Sequence, residues 1–268
     1  MTEVDVAELL DVARAAADAG AGHALDWQRR ATELVVEEKA ASDDLVSQAD
    51  RDAEAAVHAV LRERRPADAA LGEETGQQDG SSGVRWVVDP IDGTTNYLYG
   101  RPDWAVSVAA TGSGGQVLAG VVVEPAVGRV TYASAGGGAW SQGRRLSPLA
   151  QTDLSRALVE LNVGRPAQRA RFGPLVGALV GRVRDIRRGG SAAAALAQVA
   201  TGRADAAWLP GLQPWDCAAG ILLVHEAGGL IGDVSGVTAG GVPASGDVLA
   251  APPGLWEPLL ALLRPVYG

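Results

Sequence analysis

The stretch Trp86-Val87-Val88-Asp89-Pro90-Ile91-Asp92-Gly93-Thr94-Thr95-Asn96-Tyr97 begins as a short apolar run and stops at two carboxylates, a proline and a glycine-hydroxyl turn. The apolar part reads as a buried strand and the remainder as the turn that ends it. Pro90 fixes its own φ and biases Asp89 toward extended backbone, so both acids are held rather than loose. The turn can bring Asp89, Asp92 and the Ile91 carbonyl toward one point, an oxygen-rich corner for a hard divalent cation. Gly93 lets the backbone approach a ligand, and the amides of Gly93, Thr94 and Thr95 can point outward together as an anion nest. The same residues also read as a hairpin turn at Asp92-Gly93 with solvated acids beside it, and the stretch alone leaves both readings open.

Upstream, apolar residues recur at three and four from Val4 to about Arg30, which predicts an amphipathic helix. Leu34-Val35-Val36 is β-prone within Thr32 to Lys39, and a helix is expected from about Ser47 to Arg64, capped by Ser47 or Asp44. Asp50 falls in its first turn, where the helix dipole favours a carboxylate. Asp68 to Gly72 reads as a short strand running into Glu73-Glu74, and alternation lets one of those acids face a neighbouring strand's site. Adjacent strands would set Glu73 at the same sheet end as Asp89. Downstream, Trp104 to Ala110, Val117 to Glu124 and Arg129 to Ala133 read as an antiparallel meander.

Past Leu146 the pattern changes to alternating strand and helix. Strands are expected at Val159 to Asn162, Val183 to Arg187 and Ala204 to Leu209, with helices at Pro166 to Val180, Ala192 to Ala200 and from Trp215-Asp216 to Ala227. Gly189-Gly190-Ser191 is a second helix start suited to an anion or a sugar hydroxyl, or an ordinary turn and cap. The expected architecture is therefore an α+β lobe with an antiparallel sheet over 1–146 and an α/β lobe over 147–268, closely packed around a shared cleft.

The 268 residues are 47% hydrophobic and carry 23 basic against 32 acidic side chains, net -9. That balance argues against a nucleic-acid or anionic-membrane surface, and no run has the length of a membrane span. A cytoplasmic location is expected. Cys217, the single cysteine, permits no internal disulfide and reads as a small buried hydrophobe. His23 and His58 read as packing or surface residues.

Taken together, Gly72-Glu73-Glu74, the Trp86 to Tyr97 stretch and Trp215-Asp216-Cys217-Ala218-Ala219-Gly220 resemble the inositol monophosphatase family of magnesium-dependent, lithium-sensitive phosphomonoesterases. Ala49-Asp50 and Gly189-Gly190-Ser191-Ala192 fit the same resemblance, which spans nearly the whole chain. It implies a layered αβαβα sandwich, a homodimer, and a phosphoric monoester hydrolase binding two or three Mg²⁺ ions. By this resemblance Glu73, Asp89 and the Ile91 carbonyl hold one Mg²⁺, and Asp89, Asp92 and Asp216 a second. Glu73 and Thr94 orient and deprotonate a water, with Asp50 supporting Thr94 from behind. The amides of Gly93 and Thr94 receive the phosphate, Ser191 and Ala192 with Asp216 face the alcohol portion, and Asp92 and Gly190 also border the substrate.

One position departs from the resemblance. Where inositol-hydrolysing relatives commonly carry a glutamate seven residues before the site aspartate, this chain has Leu209. Myo-inositol 1-phosphate remains the expected substrate, with histidinol phosphate, fructose bisphosphate or a nucleotide 3'-phosphate as alternatives. Asp92-Gly93-Thr94 also echoes the nucleophile motif of haloacid-dehalogenase-type phosphatases, but those space their aspartates by two residues and here the spacing is three. A non-catalytic anion-binding or partner-binding relative is the alternative from another class.

Overall fold

The computed structural model describes residues 5–30, 36–38, 45–147, 149–238 and 240–268. In chain order these form α1 (Val6–Arg29), β1 (Val36–Glu38), β2 (Leu45–Ser47), α2 (Gln48–Arg64), β3 (Ala69–Gly72), β4 (Gly76–Gln78), β5 (Arg85–Asp92) and α3 (Thr94–Leu98). There follow β6 (Ala105–Thr111), β7 (Val117–Glu124), β8 (Arg129–Ser134), β9 (Gly138–Ser141), β10 (Arg144–Arg145), β11 (Leu158–Leu161), α4 (Arg169–Leu179), β12 (Asp185–Arg187) and α5 (Ala192–Ala200). The chain ends with β13 (Ala206–Leu209), α6 (Pro214–Glu226), β14 (Leu230–Asp233), β15 (Gly236–Val237), β16 (Val248–Ala251) and α7 (Pro253–Tyr267).

β1 and β2 pair antiparallel as a separate ribbon, and two larger sheets organise the other strands. The first has the order β10-β9-β8-β7-β6-β5-β3-β4, and the second β12-β11-β13-β16-β14-β15. β6, β7 and β8 pair antiparallel as the expected meander, which β5, β9 and β10 extend on either side, while β3 runs parallel to β5. In the second sheet β11 is parallel to β12 and β13, and β16 and β14 enter antiparallel.

Strand alternation explains why the sheets stack in layers. In β6, Val106, Val108 and Ala110 pack with Leu9, Val12, Ala16 and Val57 of α1 and α2, whereas Ala105 and Ala109 pack with α5 and α6. In β13, Ala207 and Leu209 turn inward to α5 and α6, and Ala206 and Trp208 turn outward to Leu175, Leu179, Leu259 and Leu263 of α4 and α7. Each sheet is thus covered on both faces, so its strands read as apolar runs. The result is an αβαβα sandwich with α5 and α6 as the shared middle layer.

Helix starts follow local chemistry. Asp5 caps α1 by accepting from the amides of Ala7 and Glu8. Ser47 caps α2 in a capping box with Asp50, and the other candidate cap, Asp44, lies outside the described residues. The expected helix at Pro166 splits into a 3-10 turn, Pro166–Gln168, and α4.

The reading of β5 needs correction. Its expected end at Val88 is four residues early, because the strand continues through Asp92. Asp89 pairs with Ser107 and Asp92 with Ala105, so three steps along β5 face two along β6. A bulge of this kind accommodates Pro90, which has no N–H for a ladder bond.

Candidate active site

In an unbroken strand, residues three apart point to opposite faces. The bulge in β5 supplies the extra residue that lets Asp89 and Asp92 serve the same side. Asp216 arrives from the first turn of α6, where its carboxylate also accepts from the Gln213 amide at 2.7 Å. Carboxylate oxygens of Asp89, Asp92 and Asp216 all lie within 4.8 Å of one another. Residues from the first sheet and from the middle helix layer therefore meet at one point.

Glu73 follows β3, whose Gly72 is in register with Val88 of β5, and this parallel pairing carries it to the same sheet end. Its carboxyl hydrogen-bonds with Asp89. The Ile91 carbonyl accepts from Thr94 Oγ1 at 3.2 Å, and the Ile91 amide donates to Asp89 Oδ1 at 3.1 Å. Gly93 caps α3 in the left-handed region, φ 97°, a conformation that favours glycine and turns the chain away from the strand. Asp50 Oδ2 accepts from the Ser47 amide at 2.8 Å and from Ser47 Oγ at 2.5 Å, at the mouth of α2.

The α5 start is engaged from across the sandwich. Ser191 Oγ donates to Asp92 Oδ2 at 2.6 Å and the Ala193 amide donates to the same oxygen at 2.5 Å, while Ser191 Oγ accepts from the Ala194 amide. Ser191 and Ala192 are each buried, and Gly190 beside them has a left-handed φ of 100°. Asp92 thus sits on a helix N-terminus, which favours its charge.

Electrostatics separate this cluster from an ordinary set of surface acids. Burial, then the charges of Glu73, Asp92 and Asp216, push Asp89 well above the usual carboxylate range. Burial and then Asp216 raise Asp92 to about 8, against the pull of Ser191 and Ala193. Burial raises Asp216 to about 6, opposed by the Gln213 amide and by the Arg165 guanidinium. Acids forced together in this way are stabilised by a cation, and the three clustered carboxylates, an all-oxygen donor set, suit a hard divalent ion. The residues present fit such an ion.

Two contributors escaped the reading of the sequence. Arg165 acts on Asp216 and donates from Nε to the Gly211 carbonyl at 3.0 Å, and nothing in its local sequence marks it. Asn96 Nδ2 donates to the carbonyls of Asp103 at 2.6 Å and Gly189 at 2.7 Å, tying the turn after β5 to the approach to α5. Leu209 is buried on β13 against the middle layer and presents no polar side-chain atom, and Cys217 is buried within that layer as expected. A cavity of about 490 Å³ lined by Arg144, Arg145 and Arg203 shares no residue with the carboxylate cluster. Among the described residues no helix is long and apolar enough to cross a membrane.

Comparison with known proteins places the chain in a family. The inositol monophosphatase family profile matches residues 5–266. An inositol-1-monophosphatase of Mesorhizobium japonicum is 41% identical over 214 residues, covering 77% of this chain and 80% of the relative. The Nus factor SuhB of Pseudomonas aeruginosa is 42% identical over 212 residues, 76% of this chain and 77% of that protein. The crystal structure of extragenic suppressor protein suhB from Bartonella henselae superposes with a TM-score of 0.89 at 34% identity, covering 96% of this chain and 98% of that one. The chain belongs to the inositol monophosphatase family, metal-dependent phosphatases of small phosphate monoesters.

Proposed function

We propose that the protein hydrolyses myo-inositol 1-phosphate to myo-inositol and phosphate in a magnesium-dependent reaction. The observation that carries this reading is the convergence of Asp89, Asp92 and Asp216 within 4.8 Å at a sheet end, with Glu73 hydrogen-bonded to Asp89 beside them. Two or three bound Mg²⁺ supply charge neutralisation, a more acidic water, and stabilisation of the oxygens entering and leaving phosphorus.

The chain's own groups do the rest. Glu73, Asp89 and the Ile91 carbonyl form one cation seat, and Asp89, Asp92 and Asp216 form its neighbour. Glu73 and the Thr94 hydroxyl orient the attacking water, Glu73 takes its proton, and Asp50 supports the pair from α2. The amides of Gly93 and Thr94 receive the phosphate beside Asp92, and no covalent intermediate with the protein is needed. Gly190, Ser191, Ala192 and Asp216 bound the alcohol side. With a buried Leu209 there is no glutamate at that position to select ring hydroxyls, so histidinol phosphate, fructose bisphosphate and nucleotide 3'-phosphates are the competing substrates. The enzyme is proposed to act in the cytoplasm as a homodimer inhibited by Li⁺.

Phosphate release from a panel of these esters, with and without Mg²⁺ and Li⁺, tests the reading. Mg²⁺-dependent release fastest from myo-inositol 1-phosphate is expected, and faster release from another ester would reassign the substrate. A partner-binding role is the second reading, favoured by the relative named Nus factor SuhB. No release from any ester with Mg²⁺ present would select it, and light scattering separately tests the dimer.

A further inference from the structure

Asp89 and Asp92 are fixed by a central strand and Asp216 by a helix, but Glu73 stands on the short link between β3 and β4. A side chain from α2 holds that link. Glu54 is fully buried, and its Oε2 accepts from the Glu74 amide at 2.8 Å. Its Oε1 accepts from the Thr75 amide at 2.9 Å and from Thr75 Oγ1 at 2.5 Å. His58, one helical turn further on, brings Nε2 to 3.4 Å from Glu54 Oε1 and 3.2 Å from Thr75 Oγ1. The fit is close: a Cβ on Gly72 would lie 2.3 Å from Glu54 Oε1. A buried carboxylate persists when donors surround it, and here the donors are the backbone and side chain of the residues just after Glu73.

We propose that Glu54 is a positioning residue for Glu73: by clamping the Glu74-Thr75 backbone it presents the Glu73 carboxylate to Asp89 and so sets the affinity for a divalent cation. The proposal rests on the reading of Glu73 as a cation ligand. Glu54 acts through the turn and touches no substrate. Groups that orient a ligand from behind typically change metal affinity by about 10–100-fold when altered.

The test is a Mn²⁺ titration of the metal-free full chain, with bound ion counted by electron paramagnetic resonance and thermal unfolding followed in parallel. Glu54→Gln is expected to weaken Mn²⁺ binding by about 10–100-fold, and to raise the half-saturating Mg²⁺ for phosphate release while kcat at saturation recovers to within about threefold. Thr75→Ala, which removes one donor and keeps Glu54, is expected to shift both in the same direction by a few-fold. Unchanged Mn²⁺ affinity in Glu54→Gln, whatever happens to its unfolding temperature, overturns the proposal. If Glu54→Gln does not fold, Thr75→Ala decides by the same criterion. A wild-type chain that binds Mn²⁺ but releases no phosphate removes the hydrolase reading and leaves this one standing, whereas a wild-type chain that binds no Mn²⁺ removes both.

Discussion

Glu54 and Asp89 are both carboxylates with essentially no exposed surface, yet their surroundings are opposite. Burial works to raise the Glu54 pKa, but His58, Thr75 and the amides of Glu74 and Thr75 together hold it below the usual value. Asp89 has the Ile91 amide and otherwise faces Glu73, Asp92 and Asp216, so burial and repulsion act together and lift it well above. A buried acid ringed by donors is already satisfied and serves as architecture. One ringed by other acids is a seat for a cation.

The largest effect that would break this contrast is on turnover. Asp89→Asn should remove several kcal/mol of charge stabilisation, about 10³-fold in kcat/KM. The same substitution relieves like-charge repulsion, so the metal-free variant should melt above wild type. Glu54→Gln should do the reverse: it leaves buried donors poorly paired and should lower metal-free stability by about 1–3 kcal/mol in denaturant unfolding. If both variants moved metal-free stability the same way, the distinction between them would be lost.

Proton linkage sharpens the same point. Asp92 near 8 and Asp216 near 6 hold protons in the folded state that the unfolded chain releases near its ordinary value of 3.8. The folded state therefore binds more protons across that window, and metal-free stability should fall as pH rises from about 4 to 8. Glu54 has the opposite sign, contributing stability above its ordinary pKa of 4.5 that is lost as pH falls through its lowered value. Melting temperature against pH should slope down in metal-free buffer and flatten with saturating Mg²⁺. A metal-free profile that rises from pH 5 to 8 would contradict the assigned shifts. The smallest effect is Ser191→Ala, which removes an Asp92 partner and the α5 cap and should cost about 1 kcal/mol of stability.

Much of the frame is legible in residue patterns because the inner sheet strands must be apolar on two faces, the outer helices on one, and the middle helices α5 and α6 nearly all round. The meander from Trp104 to Ser134, the α5 span and the start of α6 follow from those periods. The bulge in β5 does not, since nothing in Asp89-Pro90-Ile91-Asp92 distinguishes a bulged strand from a turn without its partner strand. The short strands β14 and β16 and the helix α7 are not legible in the sequence, and within α7 Pro258 and Pro265 mask the helical period with residues that normally end one. Glu54 left a faint trace. Asp50, Glu54 and His58 recur every four residues beside the buried stripe Ala49, Ala53, Val57 and Leu61, so a polar row lies on a face that should be apolar. Such a row signals buried polar work, though its partner, the Glu73 turn, is visible only once β3 is placed beside β5.

Everything rests on the acids from β5 and α6 sharing a cation. Anomalous diffraction from a crystal soaked in Mn²⁺ tests this most directly. The account predicts a strong peak within coordination distance of Asp89, Asp92 and Asp216 together. A fully soaked crystal with no peak there, or with Mn²⁺ bound at other acids alone, would contradict it.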